Sequence, residues 1–177
     1  MDITLKTTMR ELLALCPGAQ RALFRHYHIG GCASCGFQPE ETLEGVCARN
    51  ENLDPAEVIA RILEAHEQDA KVFITPAEAA EAVQKNDARL LDIRTREEFE
   101  AVHISGSQLM GQDFLQEIMG RWPKETEIVL VDHTGTRSLD AAAYFSGHGF
   151  SNVRALRGGI DAWSCEVDPS LPRYTTE

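Results

Sequence analysis

Apolar residues in the first third of the chain recur at three- and four-residue intervals, whereas further on they gather into short unbroken runs. Met9, Leu12, Leu13 and Cys16 follow the i, i+3, i+4, i+7 spacing that puts side chains on one helix face, and Pro17 ends that helix. Ala19, Leu23 and Tyr27 predict a second helix stopped at Gly30-Gly31, and Leu43, Val46 and Cys47 give a third apolar stripe. Asp54-Pro55-Ala56-Glu57 combines a capping box with proline at the first helical position, and Val58, Ile59, Ile62, Leu63 and His66 continue the buried face. The polar run Glu67-Gln68-Asp69-Ala70-Lys71 then interrupts the pattern. It predicts a helical domain over residues 1–67, a linker over 68–71 and a second domain with a C-terminal tail over 72–177.

In the second domain the pattern changes period. Thr75-Pro76-Ala77-Glu78 forms another capping box, followed by a strand over residues 89–93, a helical turn over 96–100 and a helix over 113–121. Ile128-Val129-Leu130-Val131 is a continuous apolar run bounded by charge, as expected of a central parallel strand covered on both faces. An alanine-rich helix over 138–146, a strand over 152–156 and a last helix between Gly158-Gly159 and about Trp163 complete the series. Strand alternating with helix predicts an α/β fold with a parallel sheet behind the small helical domain.

Composition narrows the function classes. The 177 residues carry 17 Lys and Arg against 28 Asp and Glu, a net charge of −11, which argues against nucleic-acid partners and acidic membrane surfaces. The surplus is spread over both domains, with 7 basic and 11 acidic residues up to position 71 and 10 and 17 after it, so charge does not mark the boundary. Five cysteines cannot all pair within one chain, and four of them lie in the first 47 residues. MDITLKTTMRELLAL lacks the basic start and apolar run of a secretory leader, and no stretch reaches the length of a membrane span. The expected compartment is a reducing cytoplasm, where cysteines serve packing, metal or redox chemistry.

The central apolar run feeds the loop Asp132, His133, Thr134, Gly135, Thr136 and Arg137 into the alanine-rich helix. Backbone N–H groups converge at such a helix N-terminus with the positive end of its dipole, so the loop suits an anion or a thiolate. LLDIRTREEFEAVHISGS, IVLVDHTGTRS and GFSNVRALRGGIDAW occur here in an order and spacing that resemble a single rhodanese domain over residues 72–164. That resemblance implies a doubly wound α/β fold whose active loop opens on a persulfide-forming cysteine. The corresponding position here is Asp132, and the loop arginine is Arg137. A carboxylate cannot accept a sulfane sulfur as a thiolate does, so thiosulfate sulfurtransfer by this loop is not expected. Asp132 is expected to fill the anion cradle itself, with the loop N–H groups and Arg137 around it. The resemblance also covers Asp92, Arg94, Glu98 and His103, which are read as structural. Cys165 is placed just after a short helix, whose negative end disfavours a thiolate.

HIGGCASCG sets Cys32 and Cys35 two residues apart after a Gly-Gly turn, a spacing that lets both sulfurs face one metal ion or each other. Cys16, Cys47, His26 and His28 are the nearby candidates for completing a metal site. Cys16 and Cys47 lie on apolar stripes and read as core, and the two histidines read as charge at a helix C-terminus. Residues 1–67 also resemble a small helical domain of unknown function that accompanies hybrid-cluster and iron-cluster-repair proteins. Pro17, Leu23, Ile29, Cys32, Cys35, Gly36, Thr42, Leu43, Glu44, Leu53, Asp54 and Val58 carry that likeness.

These features predict a rhodanese-like protein of sulfur or redox metabolism without the usual loop nucleophile, its thiol or persulfide chemistry resting on Cys32 and Cys35. One alternative is an inactive rhodanese-fold binding module; another is zinc or iron–sulfur binding by the N-terminal cysteines, although no cofactor is expected. The partners anticipated are a sulfur-relay or redox protein and a small anion.

Overall fold

The computed structural model describes residues 3–30 and 36–174, and the chain divides into two compact units, Met1–Lys71 and Val72–Glu177. In the first unit, helices α1 (Met9–Leu15), α2 (Ala19–Tyr27), α3 (Leu43–Arg49) and α4 (Pro55–Val72) enclose one core. Met9, Leu12, Cys16, Leu23, Leu43, Val46, Cys47, Val58 and Ile62 lie inside it, so the predicted helical stripes face inward. Thr8 and Thr42 cap α1 and α3 and meet in an antiparallel bridge, which ties the two helix starts together. His28 takes the left-handed conformation after α2, with its N–H on Leu23 and Phe24 carbonyls, so the helix stops at Tyr27, before Gly30. Cys32 and Cys35 lie outside the described residues.

Two local expectations are modified. The Asp54 carboxylate accepts the Ala56 amide at 2.9 Å, one position earlier than a full capping box requires. Residues 68–71, read as a linker, belong to the end of α4, because polarity alone does not stop a helix and neither glycine nor proline occurs between Pro55 and Pro76. The division between the units falls at the end of that helix.

The second unit alternates strand and helix throughout. Its elements are β1 (Phe73–Ile74), α5 (Pro76–Gln84), β2 (Ala88–Asp92), α6 (Arg96–Ala101), β3 (Gln108–Leu109), α7 (Gln112–Arg121), β4 (Glu127–Val131), α8 (Thr136–Gly147), β5 (Val153–Leu156) and α9 (Gly159–Glu166). The capping box Thr75/Glu78 is fully formed at α5, with bonds of 3.3 and 3.0 Å, and Pro76 occupies the first turn. Among the described residues the strands form one parallel sheet in the order β1-β5-β4-β2-β3.

Strand periodicity sends alternate residues of β4 to opposite faces. Val129 and Val131 pack with Ile74, Leu90, Leu156, Ile160 and Trp163, whereas Ile128 and Leu130 pack with Leu91, Ile118, Ala142, Phe145 and Phe150. Both faces are covered, which is why β4 reads as an unbroken apolar run. Each such side chain contributes about 1.5–3 kcal/mol by leaving water.

Candidate functional site

The order of the strands locates the site before any side chain is considered. The chain leaves β2 toward β3 at one edge of the sheet and leaves β4 in the opposite direction toward β5. In open α/β sheets the crevice for a ligand lies at the carboxyl ends of the strands where the connections diverge in this way. Here that place is between β2 and β4, which pair with Asp92 opposite Val131. Asp92 ends β2, and Asp132 immediately follows β4.

Asp132 is 1% exposed. Its Oδ1 accepts the Gly135 N–H and the Ser138 hydroxyl, each at 2.7 Å, and its Oδ2 accepts the Arg137 N–H at 2.9 Å. The carboxylate thus occupies the amino end of α8, where the helix dipole also favours negative charge. The expected role of Arg137 is corrected: it contributes its backbone amide, while its residue is exposed and no guanidinium bond reaches Asp132. Ser138, counted in the sequence only as the start of the helix, is a direct partner of the carboxylate.

Backbone packing fixes the loop. Gly135 has φ 90°, and a Cβ there would stand 2.8 Å from the Leu156 carbonyl oxygen. A Cβ on Gly159, φ 58°, would come within 2.4 Å of the Asp132 and His133 carbonyl oxygens. Those same carbonyls accept the Ile160 and Asp161 amides at 2.9 and 3.2 Å, so the start of α9 is bonded against the loop. Thr134 and Thr136 are exposed, with their hydroxyls 3.5 Å apart. His133 is half-buried, and its ring lies 4.4 Å from that of Tyr174.

Across the switch point, Asp92 and Arg94 form an ion pair with both side chains fully buried. Arg94 Nε lies 2.9 Å from Asp92 Oδ1 and Nη2 lies 2.6 Å from Oδ2, a two-pronged contact; Nη2 also donates to the Val102 carbonyl at 2.8 Å. Burial works against the Arg94 charge, but Asp92 and the Tyr174 hydroxyl outweigh it and hold the guanidinium more firmly protonated than usual. Glu98 closes a capping box with Thr95 at α6, and His103 stacks on Phe99 at 4.3 Å while its Nδ1 meets the Phe99 carbonyl. All four side chains make these contacts within the domain.

The cysteines separate by setting. Burial pushes the thiols of Cys16 and Cys47 up, with Asp69 and Asp54 adding to the effect, so both stay protonated. Cys165 is exposed and sits within the last turn of α9 rather than after it. His26 and His28 are exposed at the end of α2. Among the described residues no group of three His, Cys, Asp or Glu side chains is placed to hold a metal ion, and no helix is long and apolar enough to cross a membrane.

Together these features define a parallel α/β domain whose strand-to-helix loop holds a carboxylate in its own ring of donors. Residues 75–166 match the family described as "Rhodanese-like domain", and the chain belongs to that family. It is 35% identical over 86 residues to the thiosulfate sulfurtransferase GlpE of Pseudomonas aeruginosa, a match covering 49% of this chain and 78% of that protein. It is 34% identical over 104 residues to the probable adenylyltransferase/sulfurtransferase MoeZ of Mycobacterium tuberculosis, covering 57% of this chain and 26% of MoeZ. The chain therefore spans about a quarter of the length of the MoeZ proteins it matches. Among solved structures, the Alr3790 protein of Anabaena superimposes with a TM-score of 0.49 at 20% identity over 58% of this chain and 82% of that one.

Proposed function

We propose that this chain acts in sulfur or redox metabolism as a rhodanese-like protein whose loop carries no nucleophile, and that its thiol chemistry belongs to Cys32 and Cys35. The observation that carries the reading is the Asp132 carboxylate, buried in the loop and bound by two amides and a hydroxyl. In the family's pattern this position opens the loop with a cysteine. That thiolate attacks the outer sulfur of thiosulfate, forms a persulfide and releases sulfite; a carboxylate oxygen has no comparable affinity for divalent sulfur. The same carboxylate fills the donors that would otherwise meet an incoming anion.

The paired cysteines offer a balanced route for the chemistry. One thiolate takes the outer sulfur from a donor as a persulfide, and the second attacks the inner sulfur, giving a disulfide and releasing hydrosulfide. A two-electron reductant, such as a dithiol protein, returns the pair to its thiols.

The test is thiosulfate-to-cyanide sulfurtransfer and persulfide trapping on the wild type, Asp132→Cys, and the Cys32→Ser/Cys35→Ser double variant. Persulfide is expected on the wild type and absent from the Cys32→Ser/Cys35→Ser variant, and Asp132→Cys is expected to gain thiosulfate turnover. Wild-type turnover that survives the double substitution would overturn the proposal.

A further inference from the structure

Residues 167–174 lie beyond the family-matched region, yet they return to the loop. After α9 the Val167 and Asp168 amides bond the Trp163 carbonyl, and Asp168 takes the Ser170 amide and hydroxyl, so the chain turns back. Arg173 then forks onto Asp161, with Nε and Nη2 at 2.7 and 2.9 Å from its two oxygens. Val167, Leu171 and Tyr174 pack against the core on the side of Val129 and Val131.

Tyr174 ends this path between two parts of the site. Its hydroxyl accepts from Arg94 Nη1 at 2.7 Å and donates to Glu98 Oε1 at 3.1 Å, and its ring faces His133. Arg94 is itself held by Asp92, so the tyrosine is bonded to a fully buried ion pair. His133 is the opposite case. Its Nδ1 is buried without a hydrogen-bond partner among the described residues. The Asp161 carboxylate lies within electrostatic reach of the imidazole, and the aromatic ring packed against it is that of Tyr174.

We propose that Tyr174 is a positioning residue for the loop: its ring orients His133, and its hydroxyl ties that contact to the buried Asp92–Arg94 pair. The tail is thereby a working wall of the site. The inference takes from the proposed function only that this loop is the site, and it is read without any sulfur chemistry.

The experiment is solution NMR of the full chain, wild type beside Tyr174→Phe and Tyr174→Ala, following His133 ring protons and amide exchange at Gly135, Arg137 and Asp161. The wild type should show cross-relaxation between the His133 and Tyr174 rings. Tyr174→Phe should keep the His133 ring shifts while loop exchange rises several-fold; Tyr174→Ala should move those shifts and raise exchange about tenfold or more, with Val129 and Leu130 unchanged. Absence of wild-type cross-relaxation, His133 shifts unmoved in Tyr174→Ala, or loop exchange unchanged in Tyr174→Phe would each overturn the proposal. The first and third hold even if the alanine variant fails to fold. Sulfurtransfer that survived the Cys32→Ser/Cys35→Ser substitution would defeat the proposed function and leave these readouts as they are.

Discussion

Asp92 and Asp132 stand at the ends of adjacent parallel strands, withdrawn from water to 0% and 1% exposure, yet one is met by a guanidinium and the other by dipoles. A buried carboxylate costs several kcal/mol unless charge or hydrogen bonds replace its water. Arg94 answers with a full opposite charge in a planar fork, supported by Val102 and Tyr174. The Asp132 carboxylate is satisfied by two amides, one hydroxyl and the start of a 12-residue helix. The first arrangement is specific to its own aspartate, since arginine and carboxylate are matched. The second is a set of uncharged donors that this chain's own carboxylate occupies.

The sharpest way to break the comparison is to remove the cation. Arg94→Met leaves Asp92 buried and unpaired, and it also frees the Val102 carbonyl and the Tyr174 hydroxyl. The expected loss of stability is about 3–5 kcal/mol. Urea unfolding followed by circular dichroism measures it. A loss below about 1 kcal/mol would mean that Asp92 takes up a proton or reaches water at little cost, and the distinction between the two strand ends would fail.

Much of this framework is legible in the residues themselves. The β4 run, the Thr75 cap and the inward stripes of α1, α2 and α3 are local patterns, and local physics places them correctly. The two-residue strands β1 and β3 leave no periodic trace, because a period of two cannot show in two residues. The polar end of α4 conceals its helix for the converse reason: an exposed last turn has no apolar spacing. At the site, Asp132 stands out by its residue type and its place after β4. Ser138 and Tyr174 do not, since the first is an ordinary helix-start residue and the second bonds to groups 76 and 80 positions away. Gly159 is legible only as half of a Gly-Gly pair; the carbonyls that exclude a side chain there come from another strand end.

A gentler break is aimed at the other carboxylate. Asp132→Ala leaves the Gly135 amide and the Ser138 hydroxyl without their acceptor, for an expected loss of about 2–3 kcal/mol. The opened cradle should then accept an external anion. Formate or acetate is expected to raise the melting temperature of Asp132→Ala in proportion to binding while leaving the wild type unchanged. Equal stabilisation of both proteins would show that the donors are not reserved for a carboxylate at this place.

The smallest effect sharpens the comparison from the Arg94 side. Burial alone would raise the Glu98 carboxyl, but the Thr95 amide and hydroxyl, the Tyr174 hydroxyl and the Arg94 charge outweigh it, so its folded-state value lies below the ordinary one. A carboxyl lowered on folding adds stability that is complete above its unfolded value of about 4.3 and is lost as the pH falls through the lowered folded value. Glu98→Gln keeps a side chain able to cap α6 and removes only the charge, for an expected loss of about 0.3–1 kcal/mol at neutral pH. Glu78, Glu41 and Asp161 are lowered as well and slope the acid limb of both proteins alike, so the difference between the two urea midpoints isolates Glu98. That difference should shrink to nothing as the pH is taken from 7 through the acid range. If it stayed constant, the contact among Glu98, Tyr174 and Arg94 would be a matter of shape, and the charge balance at the end of β2 would rest on Asp92 and Arg94 alone.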